Sequence, residues 1–306
     1  MSATDDAWKK VEDLIEKVER SSERLLTKAE RNLVERLMNA LYQYEKDKNL
    51  NAKRDLTMIV DEVLNDFQSN ELKPIVETIS KEIVATVKAI NSYFKLQIKG
   101  SNFLAFSKKI EKDLLGKMGI ELSESSFKII TGGYMDSLTN NPELRNGVSK
   151  IIIDSVFNAS PFSDMMKSLI RFVEGTDMQE GKLLRHFKTM ALDTFNIAAR
   201  AQEDLIAKEF NMDAFLFTGT VIETTRCFCK ERAGKVILTN EATTEWPVLR
   251  NEKCGPRWDD DLEYIPLKHM GGHRCRHHKR YITNSEAIRR DSTIKSNEKG
   301  ELYRAV

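Results

Sequence analysis

The side chains able to do chemistry are gathered towards one end of this sequence. All four cysteines (Cys227, Cys229, Cys254, Cys275) and four of the five histidines (His269, His273, His277, His278) lie between residues 227 and 278, while the 226 residues before them hold only His186. Thiolate and imidazole are the donors that a tetrahedral Zn2+ takes, so a structural zinc site is the first chemistry to consider. Cys227 with Cys229, and Cys275 with His277, form two candidate ligand pairs. Each pair encloses a single residue, whereas structural zinc sites use two to four between paired cysteines. A site drawing one residue from each pair, completed by Cys254 or His273, is the geometrically easier variant. Two other readings stand beside it: a cross-loop cysteine pair closed as a disulfide, and ordinary buried thiols with exposed histidines. The stretch Met1–Trp8 has no basic region followed by an apolar run, so no secretory signal is visible. The expected setting is a reducing cytoplasm, where metal binding or free thiols come before disulfides.

Five cations, Lys268, Arg274, Arg276, Lys279 and Arg280, fall in a stretch without Asp or Glu. They read either as a solvated loop or as a patch that contacts phosphate or an acidic protein surface. The formal net charge of the whole chain is +1, so no global field favours nucleic acid. Asp259-Asp260-Asp261 reads as a solvated turn. A metal-dependent nuclease with a cysteine-rich knuckle would need a second ligand on a helix after His277-His278, and the polar stretch 283–300 offers little helical periodicity. No Walker A loop, Gly-x-Ser-x-Gly elbow, His-Glu-x-x-His or dinucleotide fingerprint occurs in the sequence. No uncharged apolar run reaches the roughly 18 residues that span a bilayer.

The elements that must position these groups are mostly helical. Leu26, Leu33, Leu37, Leu41 and Tyr44 recur at helical spacing, as do Leu56, Ile59, Val60, Val63, Leu64 and Phe67. Ile75, Ile79, Ile83, Val87, Ile90 and Phe94 give a third stripe, with Pro74 suited to its first turn. Ser160-Pro161 opens a helix with Met165, Met166, Leu169, Ile170 and Val173 inward, stopped by Gly175. A long helix is then expected from Thr176 or Asp177 to about Phe210; at 1.5 Å per residue it would run for about 50 Å. Phe215–Ile222 and Gly234–Leu238 read as strands, with Cys227 and Cys229 in the turn between them. The expected fold is mainly α: an N-terminal helical bundle or set of hairpins, then a small α+β domain with a long helix and a short antiparallel β element pinned by Cys and His. The expected division is a helical domain over 1–120, a second domain over 121–283, and an extended polar tail over 284–306.

The residues from about Pro161 to Ile282 resemble the head-morphogenesis (Mu F-like) domain of tailed-phage minor head proteins. The resemblance is carried by Arg185-His-Phe-Lys-Thr189 and Asn196-Ile-Ala-Ala-Arg200 on the long helix. It continues in Thr225-Arg226-Cys-Phe-Cys229, in Gly234-Lys235, and in Gly271-Gly272-His-Arg-Cys275-Arg276-His277. Cys229, Cys275 and His277 fall on family positions; Cys227, Cys254, His273 and His278 are particular to this chain. Gly271-Gly272 replaces the commoner Pro-Pro-x-His-Pro lead-in. The resemblance implies a virion protein without catalytic activity, made in the host cytoplasm and carried at the portal vertex or capsid interior. Its partners would be portal or major capsid protein, and packaged DNA in some arrangements, with more than one copy per virion and no membrane. A zinc-stabilised DNA-binding module is the alternative function, and a metal-dependent nuclease the less favoured one.

Overall fold

A computed structural model describes residues 2–46, 52–100, 102–123, 126–158, 160–259 and 261–305. The protein is mainly helical, with a few short antiparallel strands. In chain order the elements begin with α1 (Ala3–Lys46), α2 (Ala52–Phe67), α3 (Lys73–Gln97) and α4 (Phe103–Lys117). There follow β1 (Ile120–Leu122), β2 (Phe127–Ile129), α5 (Tyr134–Ser137), α6 (Pro142–Phe157) and α7 (Phe162–Val173). The middle of the chain supplies β3 (Gly175–Thr176), β4 (Gln179–Glu180), α8 (Lys182–Phe187), α9 (Asp193–Glu209) and β5 (Ala214–Thr218). The last part holds α10 (Cys227–Arg232), β6 (Val236–Leu238), α11 (Thr239–Val248), α12 (Pro266–His269), β7 (His278–Ile282), α13 (Asn284–Arg290), β8 (Ile294–Ser296) and β9 (Leu302–Arg304).

These elements form two compact units that do not follow the linear division at residue 120. One comprises Met1–Ile15, Val84–Leu114 and Leu192–Val306; the other comprises Glu16–Ile83 and Leu115–Ala191. The interleaving arises because α1 and α3 are long enough to contribute residues to both. Sequence periodicity finds a helix but carries no mark of where along it the neighbours change.

The Glu16–Ile83/Leu115–Ala191 unit is an assembly of amphipathic helices. Leu26, Leu33, Leu37, Leu56, Leu64, Phe67, Ile79 and Ile83 are all buried, so the three stripes read from the sequence are core faces. A single π-helical turn, Gln68–Leu72, joins α2 to α3. The expected long helix starts later than its periodicity suggests. Gly175, at φ +90°, turns the chain into the β3–β4 hairpin, and the helix opens only at Lys182. It continues as α8, a π-helical stretch Lys188–Leu192 and α9. Its first turn has no cap of its own: the buried carboxylate of Glu30 on α1 accepts the Leu184 N–H at 2.8 Å.

The unit carrying the cysteines is built on a three-stranded antiparallel sheet in the order β6-β5-β7. Phe215 of the central strand lies opposite Ile237 on one side and Tyr281 on the other. The buried aromatic rings of Phe215, Phe217, Trp246 and Tyr281 pack edge to face against one another there. The N-terminal end of the chain and α3 both bond to the sheet: Trp8 Nε1 donates to Thr218 Oγ1 at 3.2 Å, and the Tyr93 hydroxyl donates to the Tyr281 carbonyl at 2.5 Å.

The stretch 284–306 is expected to be an extended tail, and its described residues, 284–305, are folded. Thr283 caps α13 by accepting the Glu286 N–H, and Gly300, at φ +83°, closes the β8–β9 hairpin. Ala287, Ile294 and Leu302 join Ala214, Leu216, Val236, Leu238 and Ile282 in one hydrophobic cluster. Inward apolar residues seven and eight positions apart are too sparse to make a stripe, which is why the polar composition conceals them.

Candidate metal centre

Cys229, Cys275 and His277 come together. Their ligand atoms all lie within 4.8 Å of one another, and all three residues are buried. Cys229 sits on α10, which fills the connection between β5 and β6; Cys275 and His277 lie on the loop leading into β7. Because β6 and β7 flank the same central strand, the sheet brings these two connections to one end. The sulfurs are 3.9 Å apart, and Cys275 Sγ is 4.0 Å from His277 Nδ1. With Zn–S bonds near 2.3 Å, two thiolates on a tetrahedral ion stand about 3.8 Å apart, so the thiol pair fits such an ion closely.

Two glycines let backbone approach these ligands. A Cβ on Gly271 would lie 2.5 Å from Cys229 Sγ and 3.2 Å from Cys275 Sγ. One on Gly219, whose φ is +138°, would lie 2.9 Å from His277 Cδ2. The loop itself is wound tightly, with positive φ at Met270, Gly272 and Arg274.

Two arginines hold that winding. Arg200 of α9, almost wholly buried, donates through Nε to the His277 carbonyl at 3.0 Å and through its terminal nitrogens to the carbonyls of Lys268 and Cys275. Arg226, just before α10, donates to the Gly271 carbonyl at 2.6 Å and the His273 carbonyl at 2.5 Å. Planar forked donors suit this task, since one side chain satisfies several inward-facing carbonyls.

The two thiols are shifted in opposite directions. Cys275 is held well below the ordinary thiol range, chiefly by the hydrogen bond from Cys229, with Arg200 and His277 adding to it against the cost of burial. Cys229 is pushed far up by the same contact and by burial. A metal cation bound by this pair would take both sulfurs as thiolates, displacing their protons. His277 Nε2 is buried without a hydrogen-bond partner among the described residues. It is a different atom from Nδ1, the ring nitrogen that faces Cys275 Sγ. The donor set and the sulfur spacing fit a metal ion.

Cys227, placed among the candidate ligands from its spacing, is not at this site. It forms a disulfide with Cys254, with Cα atoms 5.3 Å apart. Side chains two apart on a helix point in different directions, so α10 turns Cys229 inward and Cys227 away from it. The disulfide also departs from the expectation that thiols would stay free. His273 does not complete the cluster either; its ring stacks on Trp258 at 4.1 Å, with His269 on the other face of the indole at 3.8 Å. Within Asp259-Asp260-Asp261, Asp259 and Asp261 are exposed and Asp260 lies outside the described residues.

The expected basic patch is smaller than its sequence. Every residue of β7 is buried, because α9 and the N-terminal end of the chain cover it. Lys279 is paired with Asp204 and donates to the Arg200 carbonyl, and Arg280 is paired with Asp5 at 2.5 Å. Lys268 is part-exposed, while Arg274 and Arg276 are exposed.

Behind the site, α9 presents a buried polar row. Asn196 Oδ1 and Glu203 Oε1 face the two ring nitrogens of His278 at 3.1 and 3.3 Å, and burial lowers the basicity of that histidine. The Tyr281 hydroxyl donates to Asp204 at 2.6 Å. Sequence reasoning assigned no role to Glu203 or Asp204. Their spacing on a charged helix matches a solvated face, and only the strand opposite makes it an interior one. Among the described residues no helix is long and apolar enough to cross a membrane. No family model, curated protein or solved structure matches this chain.

Proposed function

We propose that this protein is a phage minor head protein, a non-enzymatic virion component bound to portal or inner capsid. In this reading a zinc ion on Cys229, Cys275 and His277 locks its sheet-based unit. One observation carries the reading. The residues on which the resemblance to head-morphogenesis domains rests, among them Asn196, Arg200, Arg226, Cys229, Gly271, Cys275 and His277, converge on one buried hub. Residues scattered over some 80 positions have no reason to meet unless they serve one task, and here that task is holding a loop. Three protein donors leave the fourth position of a tetrahedral zinc unfilled by this cluster, so the non-enzymatic reading leans on the complete burial of all three donors.

The test is particle assembly. Heads would be assembled from the portal and major capsid proteins of a tailed phage in the presence of this chain, then sedimented. The chain is expected to co-sediment with the particles, and Cys275→Ser to reduce that association. Heads that neither bind the chain nor change in its presence would overturn the reading.

A further inference from the structure

The Cys227–Cys254 disulfide has no place in the metal centre, yet it lies beside it. Cys227 opens α10, two residues before Cys229. Cys254 begins the stretch Cys254-Gly255-Pro256-Arg257-Trp258, which runs across the ligand loop. Arg257 N–H donates to the Gly271 carbonyl at 3.2 Å, and its carbonyl accepts the His273 N–H at 3.0 Å. This short parallel bridge covers Gly272, where a Cβ would sit 1.7 Å from the Arg257 oxygen. One residue on, Trp258 is clamped between His269 and His273. The stretch is therefore a strap over the loop bearing Cys275 and His277, and the disulfide ties its start to the helix bearing Cys229. Both disulfide cysteines are part-exposed, whereas Cys229 and Cys275 are buried.

We propose that the Cys227–Cys254 disulfide is a redox-released latch on the strap that covers the Cys229–Cys275–His277 site. A dithiol reductant opens it by thiol–disulfide exchange. Its thiolate attacks one sulfur, the mixed disulfide resolves as the second thiol closes, and the reductant leaves as a cyclic disulfide. Two electrons and two protons end on Cys227 and Cys254 as thiols. A chain newly made in a reducing compartment thus has its strap untied and its site open to loading; after release, exchange with a small-molecule disulfide, which takes the two electrons and two protons and leaves as two thiols, ties it down. The latch rests on the thiol geometry of the site, and its link to metal rests on the reading given above.

The experiment compares the oxidised protein with Cys227→Ser/Cys254→Ser, which carries the same two buried thiols and no latch. Labelling of Cys229 and Cys275 by a maleimide is followed by mass spectrometry in metal-free protein. Amide exchange is read at Gly271–Cys275 and, as a control, at Phe215 and Phe217. Labelling at least threefold faster in the variant, with protection lost at Gly271–Cys275 and kept in β5, is the expected result. Acceleration below threefold, or equal loss of protection in β5, would overturn the latch. The oxidised protein opened with a dithiol supplies the same comparison should the variant fold poorly. Cobalt(II) serves as a separate probe. If no thiolate-to-cobalt absorption develops while labelling still accelerates, the metal reading fails and the latch stands.

Discussion

At the scale of single residues, the metal centre depends most on a charge and an absence. Arg200 is the charge. Removing it leaves the carbonyls of Lys268, Cys275 and His277 without their donor in a buried setting. Hydrogen bonds from a charged group are worth about 1.5–3 kcal/mol each, so Arg200→Met should destabilise this unit by about 3 kcal/mol or more, read from its denaturant midpoint. Gly271 is the absence. Its missing Cβ leaves room for both sulfurs, and Gly271→Ala should cost about 1–3 kcal/mol through overpacking while also weakening metal binding. An alanine variant with unchanged midpoint and unchanged metal affinity would contradict the close approach. Cys229, Cys275 and His277 were legible in the sequence because soft ligands cluster against a background that lacks them. The disulfide was not. Spacing alone gave Cys227 the same standing as Cys229, and only the winding of a six-residue helix separates them.

At the scale of elements, the apolar stripes of α1, α2 and α3 were readable because a helix repeats its buried face every turn. Helix starts were less so. The long helix begins at Lys182 under a cap from Glu30, a residue far away in sequence, and no local pattern announces a borrowed cap. That cap makes a pH prediction. Burial, aided by Glu174 and Glu180 and opposed by the Leu184 N–H, raises the Glu30 carboxyl to about 7. The unfolded value is 4.5, so the folded state favours the protonated form. This group's contribution is therefore fully present below pH 4.5 and is lost as pH rises through about 7. At about 1.4 kcal/mol per unit the change amounts to roughly 3 kcal/mol. Glu30→Gln should remove that slope from the pH profile of stability of the helical unit. A profile that keeps it would show that another group is titrating.

At the scale of the whole molecule, the chain is two compact units threaded through one another in sequence, and the segment least like a folded one closes the core of the sheet-based unit. Composition concealed this. The stretch after Thr283 is polar, and only Ala287, Ile294 and Leu302 reach inward. Arg304 then fastens its end, bonded to Glu241 at 2.7 Å and Asp291 at 2.6 Å. Ending the chain at Thr283 should therefore expose Leu216, Val236 and Ile282, lower soluble yield and strip exchange protection from β5. Unaltered protection in β5 would mean the segment is an appendage after all.

The central claim is that sulfur and imidazole from two connections of one sheet hold a metal ion that fixes this unit. Metal content of the purified, zinc-equilibrated protein tests it most directly. The account predicts one zinc per chain, lost in Cys275→Ser and retained in Cys227→Ser/Cys254→Ser. Protein without zinc, or zinc that persists in Cys275→Ser, would contradict it.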